Sequence, residues 1–357
     1  MTASRQIMFW GAGLVAFGFA LSLLAPVLLP FVVGFAVAYF LDPAMVRLGR
    51  LGLNRTLATV LLLSVFFAVI FLAVALIAPR LQGQVIEFAN QAPAVIKALQ
   101  ERLMGAVARL TATLSPADIE RIKSAAGGFA GDVLKFAGQF LSGLWSGGLA
   151  LVNLLSLIFI SPVVAFYFLR DWDRIVAKID GWLPRDHAGT IRRLVGEADA
   201  MIAGYVRGMA VVCLILAVFY AGALSLIGLK FGLVIGLVAG FISFIPFVGA
   251  AAGFVASVGF AVVQFGDPVM VGITAGVFVF GQILEGNFLT PNLVGDRIQL
   301  HAVWVIFALL AGGLLFGFVG VLLAVPMAAV IGVLARFFIG GYLKSPLYRG
   351  AGPEGGA

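Results

Sequence analysis

Charge is what this sequence has least of. Of 357 residues only 11% are charged, whereas 62% are hydrophobic, and soluble domains carry about 25% charged residues. Mean hydropathy is +1.13. A soluble globular domain is excluded on that ground, and the chain reads as an all-α polytopic membrane protein. Cysteine is nearly absent: Cys213, inside an apolar run, is the one thiol, so no disulfide can form within the chain. Only two histidines, His187 and His301, are present, far apart and without metal-ligand spacing. No cofactor is implied. HExxH and Gly-x-Ser-Gly motifs are missing, and so is a second membrane-embedded acid that could form an aspartyl pair, which argues against an intramembrane enzyme. The net charge of +7 sits in loops between apolar runs, which is membrane topology rather than a nucleic-acid surface.

Five segments follow from the pattern. Residues 1–79 read as three apolar runs, 7–25, 31–41 and 56–78, separated by Pro26 and Pro30 and closed by Pro79. The first run is taken as an uncleaved span rather than a signal peptide. The 42–55 loop holds Arg47, Arg50 and Arg55 against Asp42 alone. By the positive-inside rule it is cytoplasmic, and so is the N-terminus. Residues 80–147 form an amphipathic arm on the opposite side. From Ser115-Pro116 onward, apolar residues fall at 119, 122, 126, 129, 133, 136, 140 and 144. That three-four spacing makes a narrow seam for another helix, either within the chain or on a second copy in a homo-oligomer.

Residues 148–169 form the next span. Residues 170–207 carry seven Lys/Arg and six Asp/Glu and read as interfacial helices anchored by Trp172 and Trp182. The core is 208–340, and a cytoplasmic tail occupies 341–357.

Within the core, runs 231–264 and 302–335 are each too long for one span and too short for two. Each is broken in its middle, one at Pro246-Phe247-Val248-Gly249 and the other at Gly317-Phe318-Val319-Gly320. Arms of about 15 residues would reach only ~22 Å. The tips, Pro246, Phe247, Gly249, Phe318 and Gly320, therefore mark two re-entrant hairpins, each preceded by a clean span (208–228 and 269–289). The count is about six spans plus two hairpins. If the runs instead cross as kinked spans, the count is eight and Glu285 to Asp296 moves to the outer face. Paired Gly/Pro-interrupted segments point to a transporter site at a repeat interface.

The polar exception lies between these runs. Glu285 is the acid embedded in an apolar segment of the C-terminal half, with Gln282, Asn287, Thr290 and Asn292 near it and with Gly286 and Pro291 to interrupt the helix. A charge in hydrocarbon costs roughly 2.5–3.5 kcal/mol on insertion scales. Either Glu285 binds or exchanges something, or it lies one turn from a helix end and reaches the headgroups. In the first case the set Glu285, Gln282, Asn287, Thr290, Pro291 and Asn292 would hold a small polar solute, a proton or Na⁺.

The whole chain resembles the bacterial autoinducer-2 exporter family of permeases. The resemblance is carried by Leu41-Asp42-Pro43 with Arg47 and Leu48, by Phe166 to Asp171, and by Gly204-Tyr205-Val206-Arg207-Gly208. It continues through Ile245 to Gly249, Glu285 to Pro291, and Gly320 to Pro326. Phe247 stands where tyrosine is expected and Ala250 where proline is expected. The resemblance implies a multi-pass protein of the bacterial inner membrane that moves small solutes, as an oligomer. Members linked to autoinducer-2 export and members linked to sodium–proton exchange are both implied, so substrate is left open.

Overall fold

The computed structural model describes residues 3–110, 147–294 and 301–349, and every regular element among them is a helix. In order these are α1 (Ala3–Arg50), α2 (Arg55–Leu110), α3 (Gly147–Gly181), α4 (Ala188–Leu226), α5 (Gly232–Ile242) and α6 (Val248–Phe265). α7 (Pro268–Leu284) runs on into a π-helical segment (Glu285–Val294), followed by α8 (Ala302–Lys344) and the short α9 (Pro346–Arg349). Seven of the helices among the described residues are long and apolar enough to cross a membrane. In the span Arg55–Pro79 only 6% of the apolar window is buried, and Leu57, Val60, Leu61, Val69 and Phe71 are exposed. That much unburied apolar surface needs lipid against it. The 119–144 seam, Asp296 and Arg297, and the tail beyond Arg349 lie outside the described residues.

Three expectations about helix ends are corrected. Residues 7–41 are not two runs with a turn at Pro26 and Pro30; they belong to one helix, α1. The return turn on which a cytoplasmic N-terminus rested is therefore absent. Pro79 does not close α2, which continues through Pro79 and Pro93 for 56 residues. Nor do residues 170–207 lie along an interface as separate helices. They extend α3 and α4 beyond their apolar parts, with a short connection at 182–187. Trp182 is exposed, whereas Trp172 is half-buried and packs against Phe35, Tyr39 and Phe168 at ring distances of 6.0–6.1 Å. For the first two the reason is that proline removes one backbone hydrogen bond, and in a bilayer helix that loss is met locally without unwinding.

The described chain divides into two compact units, each discontinuous in sequence. The first comprises Met1–Ser64, Ser156–Met209 and Pro291–Ala357. Here α1 packs on α8. Gly34 lets α1 approach α3 so closely that a Cβ would come 2.7 Å from the Ser161 carbonyl oxygen. Polar groups close the rest of this unit. Tyr39 Oη donates to Asp199, Arg207 Nε donates to the Tyr39 carbonyl at 2.9 Å, and Arg207 Nη2 reaches Asp42 Oδ2 at 3.4 Å. Asp42 and Arg207, each from a stretch that carries the family resemblance, are thus partners.

The second unit comprises Val65–Leu155 and Ala210–Thr290. α5 lies against α4 through Gly232, Gly236 and Gly240, where a Cβ would collide with the backbone of Leu224, Ala221 and Ala217. Small residues are how apolar helices come together without a hydrophobic drive. At the base of this unit Glu87 of α2 accepts from Lys230 Nζ at 2.6 Å. Phe88 stacks on Phe260 at 4.9 Å and meets Phe231 edge-on at 5.6 Å.

Both broken runs fold back on themselves. α5 and α6 pack together, joined by residues 243–247, with Phe247 in the left-handed region at φ 68°. Gly249 is buried: a Cβ would sit 2.5 Å from the Ala239 carbonyl and 2.6 Å from Ser243 Oγ. Pro246 is half-buried and Phe247 exposed. In α8 the turn is at Gly317, φ 58° and ψ −139°. Beyond it Gly320 returns onto the Gly312 carbonyl, while Phe318 is exposed. The arms are not the equal short pieces expected. α5 has 11 residues and α6 has 18. The second arm of α8 continues through Gly340 and Gly341 to Lys344, about 40 Å.

Candidate solute and ion site

α7 begins at Asp267, whose Oδ1 accepts from the Val269 amide at 3.0 Å, with Pro268 in the first turn. The α-helical pattern ends at Leu284. From Glu285 the backbone continues as a π-helix of 10 residues. Gly286 and Pro291 therefore do not interrupt the helix as expected. Pro291 has no N–H to donate, and the chain accommodates it by widening. π-Helical turns are rare and concentrate at functional sites. Pro268–Val294 forms one candidate span of 27 residues, and Glu285 is well over a turn from its end.

Glu285 is half-buried, and Gln282 Nε2 donates to its Oε2 at 2.9 Å. α4 supplies the facing side chains. Cys213 and Tyr220 are both buried, seven residues apart on one helical face, and the Tyr220 ring lies against Gly281. Tyr220 is held firmly. Its ring stacks on Phe278 at 4.5 Å and 16°, and it occupies the space left by Gly281, where a Cβ would meet ring atoms at 2.5–2.6 Å. The Tyr220 hydroxyl is buried without a partner in hydrogen-bonding geometry, although the Gln282 side chain faces it. A buried hydroxyl left unpaired costs about 1–3 kcal/mol. The group formed by Glu285, Gln282 and Tyr220 can accept a proton, a cation or a solute hydroxyl.

The other expected site residues are placed differently. Asn287, Pro291 and Asn292 are exposed, and Thr290 is half-buried. In an i→i+5 helix Glu285 stacks over Thr290 and Asn287 over Asn292, so the two asparagines share a second face. At the end of the π segment Leu293 and Val294 pack on Gly208, where a Cβ would come 2.5 Å from the Leu293 carbonyl. Among the described residues no three His, Cys, Asp or Glu side chains converge as metal ligands. Tyr220 and Cys213 were missed in the sequence. Their seven-residue spacing puts them on one face, but nothing there says which face of α4 meets the acid.

Residues 12–339 match the profile of the AI-2E family transporter. The chain belongs to the AI-2E transporter family. It is 27% identical over 335 residues to "Putative permease PerM" of Escherichia coli (strain K12), covering 93% of this chain and 89% of that one. Identity is also 27%, over 317 residues, to "Putative transport protein YrrI" of Bacillus subtilis (strain 168), with 88% and 87% covered. Membership makes this chain a multi-pass membrane protein of a transporter family. The matched range includes both the Glu285 stretch and the first hairpin tip.

Proposed function

We propose that the protein is a secondary transporter of the bacterial inner membrane that moves a small polar solute, of the size and polarity of a hydroxylated furanone such as autoinducer-2, coupled to a proton or cation at Glu285. The observation that carries this reading is a half-buried carboxylate at the start of a ten-residue π-helix inside an apolar span, held by Gln282 and faced by the unpaired Tyr220 hydroxyl. An ionisable group so placed marks a substrate or ion path. Asn287, Thr290 and Asn292 offer hydrogen bonds along the adjoining turns, and an amide serves either protonation state because it both donates and accepts. The two fold-back runs are taken as re-entrant hairpins within a core of 208–340. Their first arms, about 17 Å and about 22 Å long, reach only partway across a bilayer. The 42–55 loop and the C-terminus are assigned to the cytoplasm from loop charge. The 119–144 seam is assigned to a homo-oligomer contact.

A second reading, a monovalent cation–proton antiporter, is favoured by the oxygen set itself. Glu285, the Gln282 carbonyl and Tyr220 Oη are hard donors that suit Na⁺. Reconstitution into liposomes tests both. Furanone uptake and Na⁺-driven dissipation of a pH gradient are measured from about pH 5.5 to about pH 8.5, roughly 1.5 units either side of neutrality. Glu285→Gln keeps shape and hydrogen bonding but cannot titrate. It is expected to leave expression intact and to abolish the pH dependence of whichever flux is present. Normal flux with an unaltered pH profile would remove Glu285 from the coupling step.

A further inference from the structure

Away from that site, Arg55, Thr56, Arg170, Asp173 and Arg174 line an open cleft of about 500 Å³. It lies where the start of α2 meets the far part of α3, wholly within the first unit. Its charges do not cancel. Arg170 grips Asp171 with two hydrogen bonds, Nε to Oδ1 at 3.0 Å and Nη2 to Oδ2 at 2.7 Å. Arg55 pairs with Asp173 and donates Nε to the Leu169 carbonyl at 3.1 Å. Arg174 is 87% exposed, and its contact is a 3.6 Å approach to Asp171, a carboxylate already occupied by Arg170. Three guanidinium groups thus face two carboxylates, and the positive charge of Arg174 is left largely uncompensated.

Below the cleft the surface turns apolar. Counting back from Arg174 at helical spacing gives Arg170, Tyr167 and Val163, and forward from Thr56 gives Val60. Tyr167, Val163 and Val60 are all exposed, and the Arg170 guanidinium lies 5.1 Å from the centre of the Tyr167 ring. These helices belong to the candidate spans Arg55–Pro79 and Leu155–Gly181. A cationic cleft therefore caps an apolar stripe at the edge of a membrane.

We propose that this cleft binds the phosphodiester headgroup of an acidic phospholipid, whose acyl chains run along Val60, Val163 and Tyr167. Guanidinium is the cation best matched to phosphate geometry. Basic pockets between membrane helices are where such headgroups are held. A zwitterionic lipid brings its own ammonium to an uncompensated arginine and gains less. A free phosphate ion makes no use of the stripe. This site does not depend on the transport reading.

The test uses the purified full chain, stripped of lipid, with bound lipid counted by native mass spectrometry. Phosphatidylglycerol, phosphatidylethanolamine and inorganic phosphate are the probes. Phosphatidylglycerol is expected to bind preferentially and to resist displacement by phosphate. Arg174→Gln is expected to weaken it about fivefold, the effect of one basic residue near an anionic surface. Arg174→Lys, which keeps the charge, should return binding to within about twofold. Arg349→Gln, which removes an exposed charge elsewhere, should change nothing. The proposal is overturned by unchanged phosphatidylglycerol binding in Arg174→Gln, by an equal loss in Arg349→Gln, or by displacement with phosphate.

Discussion

The two fold-back runs reach the same turn by different means. Both carry Phe-Val-Gly, and both close by seating the glycine of that motif against the opposite arm, Gly249 on Ala239 and Ser243, Gly320 on Gly312. They differ in which residue bears the reversal. In α8 it is Gly317, immediately before the motif, at a φ of 58° that glycine adopts freely. Between α5 and α6 it is Phe247, the motif's own first residue, at a φ of 68° that costs an L-residue about 1–2 kcal/mol. A shared motif therefore fixes arm-to-arm packing and leaves the turn to local sequence. The strained tip exposes a phenylalanine held by neither arm, and strain of that kind persists where the surrounding structure over-determines it.

The comparison can be broken hardest at the seating glycines. Gly320→Ala puts a methyl into a backbone carbonyl that cannot rotate away, and a loss of about 3 kcal/mol is expected in thermal unfolding of the detergent-solubilised protein. Gly249→Ala should cost about 2–3 kcal/mol, since the Ser243 amide nitrogen and the Ala239 carbonyl that a methyl would meet are both backbone and cannot turn aside. Equal stability of both variants and wild type would mean the arms are not held by these contacts.

The turn residues sharpen the contrast. Gly317→Ala is expected to destabilise by about 1–3 kcal/mol, whereas Phe247→Gly relieves strain and should be neutral or stabilising by about 1 kcal/mol. Opposite signs from equivalent tips are the signature, and a loss in Phe247→Gly would show that its ring is anchored. The smallest effect belongs to the clasp at the base of the first hairpin. Glu87 and Lys230 are each about half exposed, so Lys230→Gln should cost no more than about 1 kcal/mol and less at high salt.

Much of this was legible in the sequence where chemistry and spacing coincide. Glu285 announced itself by its apolar neighbours, and the hairpin breaks by matched Phe-Val-Gly and flanking Pro or Gly. Prolines misled. Pro26, Pro30, Pro79 and Pro291 read as stops because in water an interrupted hydrogen bond is readily replaced by solvent, whereas an apolar helix keeps what bonds it has. The π-helical widening at Glu285 has no composition signature at all. Tyr220 and Cys213 could be placed on one face of α4, but the seating of Tyr220 against α7 depends on Gly281 giving up its volume to a phenol, a pairing that no local pattern encodes. Asp42 and Arg207 were each visible in a motif, and only the fold made them partners.

Cys213 has one more consequence. The chain's sole thiol is buried on the α4 face that also carries Tyr220, so the protein carries its own reporter of water on that face. No residue need be added or removed to use it. The rate at which a small maleimide modifies the native protein measures how often water reaches that face, and comparing rates with and without an imposed pH or sodium gradient shows whether a driving force changes its exposure.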